Sequence, residues 1–210
     1  MRHSITKELY AYWNVLRGTR SAPERLDIDP SVIRSLLADT FILDHDAAAG
    51  FPFRLSGTRN NQLFDRELRN QPFMDLWQPD DRIMIERLLN AVSDDMCPTA
   101  ASVQSAEGPY QLNLEILLLP LRHHGQTHAR LLGCLTPMTT PDWLGLMPIG
   151  PLKLQTVRVI DPAKLNAPVS RFNFRVGEHL PIFERRTSHF AGQVTPPRTL
   201  RHLTIYEGGR

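Results

Sequence analysis

The side chains able to do chemistry are few and loosely grouped. His123, His124 and His128 lie close together in sequence, and imidazole is a common metal ligand. No Cys or carboxylate stands near them, so a solvated turn is the simpler reading and no metal site is expected. Cys134 alternates into an apolar run and reads as a small core residue rather than a reactive thiol. Asp44, His45 and Asp46 fall together between two strand-sized runs and read as a charged turn. Glu115 is flanked by leucines, which makes it the most informative polar residue. It either pairs with an Arg (Arg54 and Arg59 are the candidates), faces solvent, or contacts a ligand. No phosphate-cradling glycine loop, zinc signature or hydrolase serine motif is present, so no catalytic residues are assigned and a non-enzymatic chain is expected.

Charge and composition narrow the class further. The 210 residues carry a net charge of +2 and are 41% hydrophobic, enough for one sizeable core. The basic excess gathers in residues 162–210, where Lys164, Arg171, Arg175, Arg185, Arg186, Arg198, Arg201 and Arg210 face only Glu178, Glu184 and Glu207. Such a tail could hold nucleic acid electrostatically, but it brings no stacking platform or reading helix, and docking to an acidic protein surface is the stronger expectation. Cys97 and Cys134 make no disulfide framework, and neither a signal peptide nor a membrane span is visible. A cytoplasmic protein is expected.

The elements that must position these residues centre on Gln111–Met138. Leu112, Leu114, Ile116 and Leu118 share one face of a strand, with Asn113 and Glu115 on the other until Leu117 and Leu119 make that face apolar too. Arg122–Thr127 supplies a turn, and Ala129–Leu135 returns as a second strand. Pro120 predicts that the ladder ends or bulges there. Upstream, Ile5, Leu9, Tyr12, Trp13 and Leu16 recur at helical spacing, with Ser4 as N-cap and Gly18 as the stop. This stripe packs either on the chain's own sheet or on the same helix of a second copy. Asp29-Pro30 opens a short helix through Val32, Ile33, Leu36 and Leu37. Residues 40–44 and 51–55 make a hairpin with Pro52 at an edge. Asp80 and Asp81 begin a helix with the stripe Ile85, Leu88, Leu89 and Val92, and Thr99–Gln104 is the next strand. Helices grouped between strand pairs predict an α+β domain with an antiparallel sheet. Leu152–Ile160 alternates well enough for one more strand or an extension along the domain. Past Asp161-Pro162 the periodicity is lost and a largely disordered tail is expected, with Arg171–Arg175 and Leu200–Tyr206 as stretches that could fold on a partner.

That order, together with Tyr12-Trp13, Leu16-Arg-Gly18, Pro23-Glu-Arg25, Asp29-Pro30, Phe53-Arg-Leu55, Gly57-Thr58, Phe64, Arg66-Glu-Leu68, Trp77, Glu115, Leu118-Leu-Pro-Leu121 and Pro141-Asp-Trp143, resembles the bacterial family of stand-alone PAS proteins over residues 5 to 160. Three positions depart from the pattern: Asp65 stands where a glycine is usual before Arg-Glu-Leu, and Asn60-Asn61 are more polar than expected. The resemblance implies a PAS-like five-stranded antiparallel sheet with helices on one face, extra N-terminal amphipathic helices and an extended C-terminal tail. In residue bounds this is 1–38 for the helices, 39–161 for the PAS-like domain and 162–210 for the tail. It also implies a signalling regulator that acts through a protein partner, a small apolar ligand, or both. Haem is argued against, because the helix from Asp80 to Ser93 has no His to serve as axial ligand. Photoactive flavin is argued against by the absence of a Cys between Gly57 and Asn70. The ligand itself stays unknown. The lining expected for a pocket is Phe53, Leu55, Phe64, Phe73, Trp77, Leu88, Leu114, Ile116, Leu132 and Cys134, with Glu115 as its polar member, and the same set reads equally well as plain core. Leu9, Tyr12, Trp13 and Leu16 are the candidate contacts of a homodimer.

Overall fold

A computed structural model describes residues 1–105, 111–161, 198–200 and 203–205. The expected disordered tail, including Arg171–Arg175, lies mostly outside the described residues. The chain divides into two compact units, Met1–Phe174 and Arg175–Arg210. In the second, β7 (Arg198–Leu200) and β8 (Leu203–Ile205) pair as an antiparallel hairpin, of which β8 and the last residue of β7 fall in the Leu200–Tyr206 stretch singled out above.

In the first unit, α1 (Ser4–Arg17) ends where expected, with Gly18 at φ 56°. Its N-cap is one residue earlier than the sequence suggested: His3 Nδ1 accepts the Ile5 N–H at 3.2 Å. The helix expected after Asp29-Pro30 does not form. Bonds from Val32 N–H to Asp29 O, Leu36 N–H to Ile33 O and Asp39 N–H to Leu36 O make a chain of tight turns instead. The hairpin β1 (Thr40–Asp44) and β2 (Phe53–Ser56) follows, then α2 (Thr58–Leu63) and α3 (Pro79–Asp94). Pro79 opens α3 without an amide to satisfy, and Asp80 and Asp81 sit at its positive end. Then come β3 (Thr99–Ser105), β4 (Asn113–His123), β5 (Gln126–Pro137) and β6 (Leu152–Val159).

The sheet is antiparallel with six strands, not five, in the order β2-β1-β5-β4-β3-β6. Leu152–Val159 supplies the extra one by pairing with β3. The β2 edge is where Pro52 pointed. Toward β3 the ladder ends just short of Pro120, as expected, whereas toward β5 it runs on to His123, with its irregularity between Leu121 and His123. The proline is tolerated because β3 has already stopped opposite Leu118.

A second correction concerns the layers, since helices cover both faces of the sheet. Leu114, Ile116 and Leu118 pack with α3 through Ile85, Leu89 and Val92. Leu117, Leu119 and Leu121 pack on the opposite side with Leu9, Tyr12 and Trp13 of α1. A strand covered on both sides favours apolar residues at successive positions, which accounts for the unbroken Ile116–Leu119 run. Gly57 joins the layers at a point where a Cβ would lie 2.2 Å from the Leu37 carbonyl oxygen.

Candidate functional site

On the α3 side, the aromatic residues expected as a pocket lining are brought together. Phe53, Phe73 and Trp77 are joined by Phe41, which was not anticipated, with neighbouring ring centroids 5.6 to 5.7 Å apart in tilted and edge-on contacts. All four are essentially buried. Leu114 and Ile116 form the sheet wall beside them, and Phe64 and Leu88 pack half-buried at the margin. The Trp77 indole N–H is buried with no acceptor among the described residues.

Three of the expected lining residues are elsewhere. Leu55 is 42% exposed on the edge strand. Leu132 and Cys134 are fully buried but on the α1 side, because they pair with Leu119 and Leu117 of β4 and so share their face. Leu131 and Leu135 occupy the α3 side in their place. Burial pushes the Cys134 thiol well above its ordinary range, with Asp39 and Glu115 adding in the same direction, so it is an inert core group.

The α1 side carries the most unusual polar arrangement. Glu115 is buried and points toward α1, yet neither Arg54 nor Arg59 reaches it. Arg54 is exposed, and Arg59 pairs with the buried Asp39. The expected ion pair is therefore corrected: the carboxylate accepts the Arg2 N–H at 2.6 and 3.0 Å, the His3 N–H at 3.3 Å, and the Thr6 hydroxyl. Thr6 also donates to the His3 carbonyl at 2.8 Å. A carboxylate at the positive end of a helix is favourable, and hydrogen bonds to a charged acceptor are the strong kind. No spacing in the sequence announces this, because the donors are mostly backbone and Thr6 is 109 residues away. A cleft of about 60 Å³ opens beside it, lined by Met1, Arg2, Ser102, Thr156 and Arg158 among others.

The candidate dimer contacts Leu9, Tyr12 and Trp13 are consumed within the chain, and Leu16 packs half-buried beside them. Trp13 Nε1 donates to the Pro120 carbonyl at 2.9 Å. The Tyr12 hydroxyl accepts the Asp29 N–H at 2.7 Å, and burial foremost pushes its pKa up to about 12.

The histidines do not converge. His123 and His124 meet in a tilted contact with centroids 4.1 Å apart at the β4–β5 turn, and the His128 side chain lies outside the described residues. Among the described residues no group of three or more His, Cys, Asp or Glu side chains could hold a metal ion. The Asp44–Asp46 turn is tied down rather than loose: Asp44 pairs with Arg130 at 3.0 Å and His45 Nε2 meets Asn90 Oδ1 at 3.2 Å.

An antiparallel sheet clasped between short helices plus one longer helix on one face and an N-terminal amphipathic helix on the other defines an α+β domain of the PAS type. A PAS domain family model matches residues 1–136, and the chain belongs to that family. The match begins at residue 1 and so takes in α1. No curated protein matches the chain. Among the described residues no helix is long and apolar enough to cross a membrane.

Proposed function

We propose that this chain is a PAS-type regulatory module that works in the cytoplasm through contact with another protein, without catalysis of its own. Its membership in the PAS family supports a signalling role. The observation that carries the docking form of that role is the aromatic cluster on the α3 side. Phe41, Phe53, Phe73 and Trp77 fill that side of the sheet with the chain's own rings. A module built this way changes its partner by surface contact. In-cell crosslinking of the full chain is expected to trap a second protein species, and recovery of this chain alone would end the docking reading.

A ligand-gated version is the second reading, favoured by the Trp77 N–H, which is buried without an acceptor among the described residues. A buried unsatisfied donor costs about 1–3 kcal/mol, and an apolar molecule carrying one acceptor would relieve that cost. Binding would act only to the extent that it favours one arrangement of the domain over another. Native mass spectrometry of gently purified protein separates the two: bare mass supports docking, and a retained small molecule supports gating.

A further inference from the structure

At the β6 edge of the sheet an apolar groove and a basic face meet along one strand. The start of α3 caps the first part of the outer side of β6: the Leu152 carbonyl accepts the Gln78 N–H at 2.9 Å, and the Leu154 N–H donates to Asp81 Oδ2 at 2.8 Å. Beyond the register shift opposite Ser102 and Val103 the outer side is open among the described residues. The Ile160 N–H turns inward to the Pro98 carbonyl at 2.8 Å, so strand alternation aims the amides and carbonyls of Val157 and Val159 outward. The side chains of these two valines pair across from Ala101 and Thr99 on the α3 face, and they are 43% and 62% exposed. Asp81 fixes one flank of α3 beside this edge, and Met84 and Leu88 follow along that flank at helical spacing, exposed and half-buried. On the other face, pairing with Gln104, Ser102 and Ala100 aligns Lys153, Thr156 and Arg158. Thr156 and Arg158 share the cleft of about 60 Å³ with Arg2, and its carboxylate, Glu115, is already committed to the Arg2 and His3 amides and the Thr6 hydroxyl.

We propose that β6 is a docking edge for an extended segment of a partner protein in which apolar and acidic residues alternate, added as a further strand of the sheet. This rests on the docking reading above and gives it a surface. The open backbone groups of Val157 and Val159 supply the pairing. Apolar side chains of the segment settle against Val157, Val159, Met84 and Leu88, and its carboxylates lie across from Thr156 and Arg158. Charge selects the occupant. A second copy laid along this edge would bring Lys153 and Arg158 to the face that already holds them, and residues 162–210 of the chain itself carry eight Lys or Arg against three acids. Like charges side by side on a sheet repel, and basic residues on an open edge hold identical chains apart. An acidic segment meets no such opposition.

The test uses the full chain and a fluorescent peptide alternating valine and glutamate over about ten residues, the length of a long strand. Its twin carries lysine in place of glutamate. Fluorescence anisotropy is expected to show the glutamate peptide binding and the lysine peptide binding at least about tenfold more weakly, with the difference shrinking as salt is added. Val157→Pro removes an outward amide that β3 does not use, and it should weaken the glutamate peptide about tenfold. Arg158→Glu alters only an exposed side chain, which guards against misfolding, and it should reverse the preference between the two peptides. The proposal is overturned if the glutamate peptide does not bind, if both peptides bind alike, or if either variant leaves binding unchanged. Slow hydrogen exchange at Val157 and Val159 in the free chain, or a dimer in native mass spectra that Val157→Pro splits, would assign the edge to this chain itself and overturns the acidic occupant. In-cell crosslinking separates the edge from the docking reading. A partner still trapped by Val157→Pro overturns the β6 edge and leaves docking in place, whereas a natural chain that traps no partner ends both.

Discussion

The two buried tryptophans differ in one atom's fate, and that difference is measurable. Trp13 donates its N–H to the Pro120 carbonyl, whereas the Trp77 N–H has no acceptor among the described residues. Replacing either by Phe removes similar volume, but only Trp13→Phe strands a carbonyl that was paired. Urea unfolding is expected to show Trp13→Phe costing about 1 kcal/mol more than Trp77→Phe. Asp39 offers a second residue-scale test. Burial raises its carboxyl above the ordinary 3.8 despite the opposing pull of Arg59. The folded state therefore holds this proton more tightly than the unfolded one. The associated stability is full below about pH 4 and is lost as pH rises through the folded pKa. The stability of the natural chain relative to Asp39→Asn should accordingly fall with pH across that window and level off above it, as read from denaturant midpoints at successive pH values. Glu115 shows why some sites escape sequence reading. Its odd position among leucines was legible, but its main donors are backbone N–H groups that any residue could supply.

At the scale of elements, the close approach of Gly57 to the turn before β1 sets the strictest condition. A Cβ there would lie within 2.3 Å of the carbonyl oxygens of both Leu37 and Ala38, which are backbone and cannot swing aside. Gly57→Ala is expected to destabilise the chain by at least about 2 kcal/mol, seen as a lowered Tm. Gly133→Ala meets the Phe41 ring at 2.3 Å and the Leu117 carbonyl at 2.8 Å, and should also destabilise, since that ring is itself packed against Phe53 and Phe73. The period of two in Leu112–Leu118 placed one face of β4 correctly, because Asn113 and Glu115 marked the other. In β5 no such marker exists: Leu131, Leu132, Cys134 and Leu135 are apolar on both faces. The register could then be fixed only by the turn, whose irregularity between Leu121 and His123 has no sequence signature. Leu132 and Cys134 therefore face α1 and not the expected pocket. The short helix expected after Pro30 failed for a different reason. Val32, Ile33 and Leu36 suit a helical stripe, but their burial is met by tight turns over α1 and no longer ladder is needed.

For the molecule as a whole, the boundary between its two compact units falls after Phe174. A chain ending there is expected to unfold in a single cooperative step with a Tm within a few degrees of the full chain, by calorimetry. The α+β class and the antiparallel pairing were legible because helices group between strand pairs. The sixth strand was visible as an alternation at Leu152–Val159, but its pairing with β3 spans a proline-punctuated link that sequence alone does not route. The double covering of the sheet also has a consequence for the time before it is complete. Until β5 and α1 arrive, Ile116–Leu119 is a bare ribbon of strand-prone side chains with nothing charged among them, the composition that stacks into intermolecular aggregates. Pro120 closes that ribbon with a residue that has no amide to offer a growing stack, so Pro120→Ala is expected to refold with more aggregate, as read by light scattering.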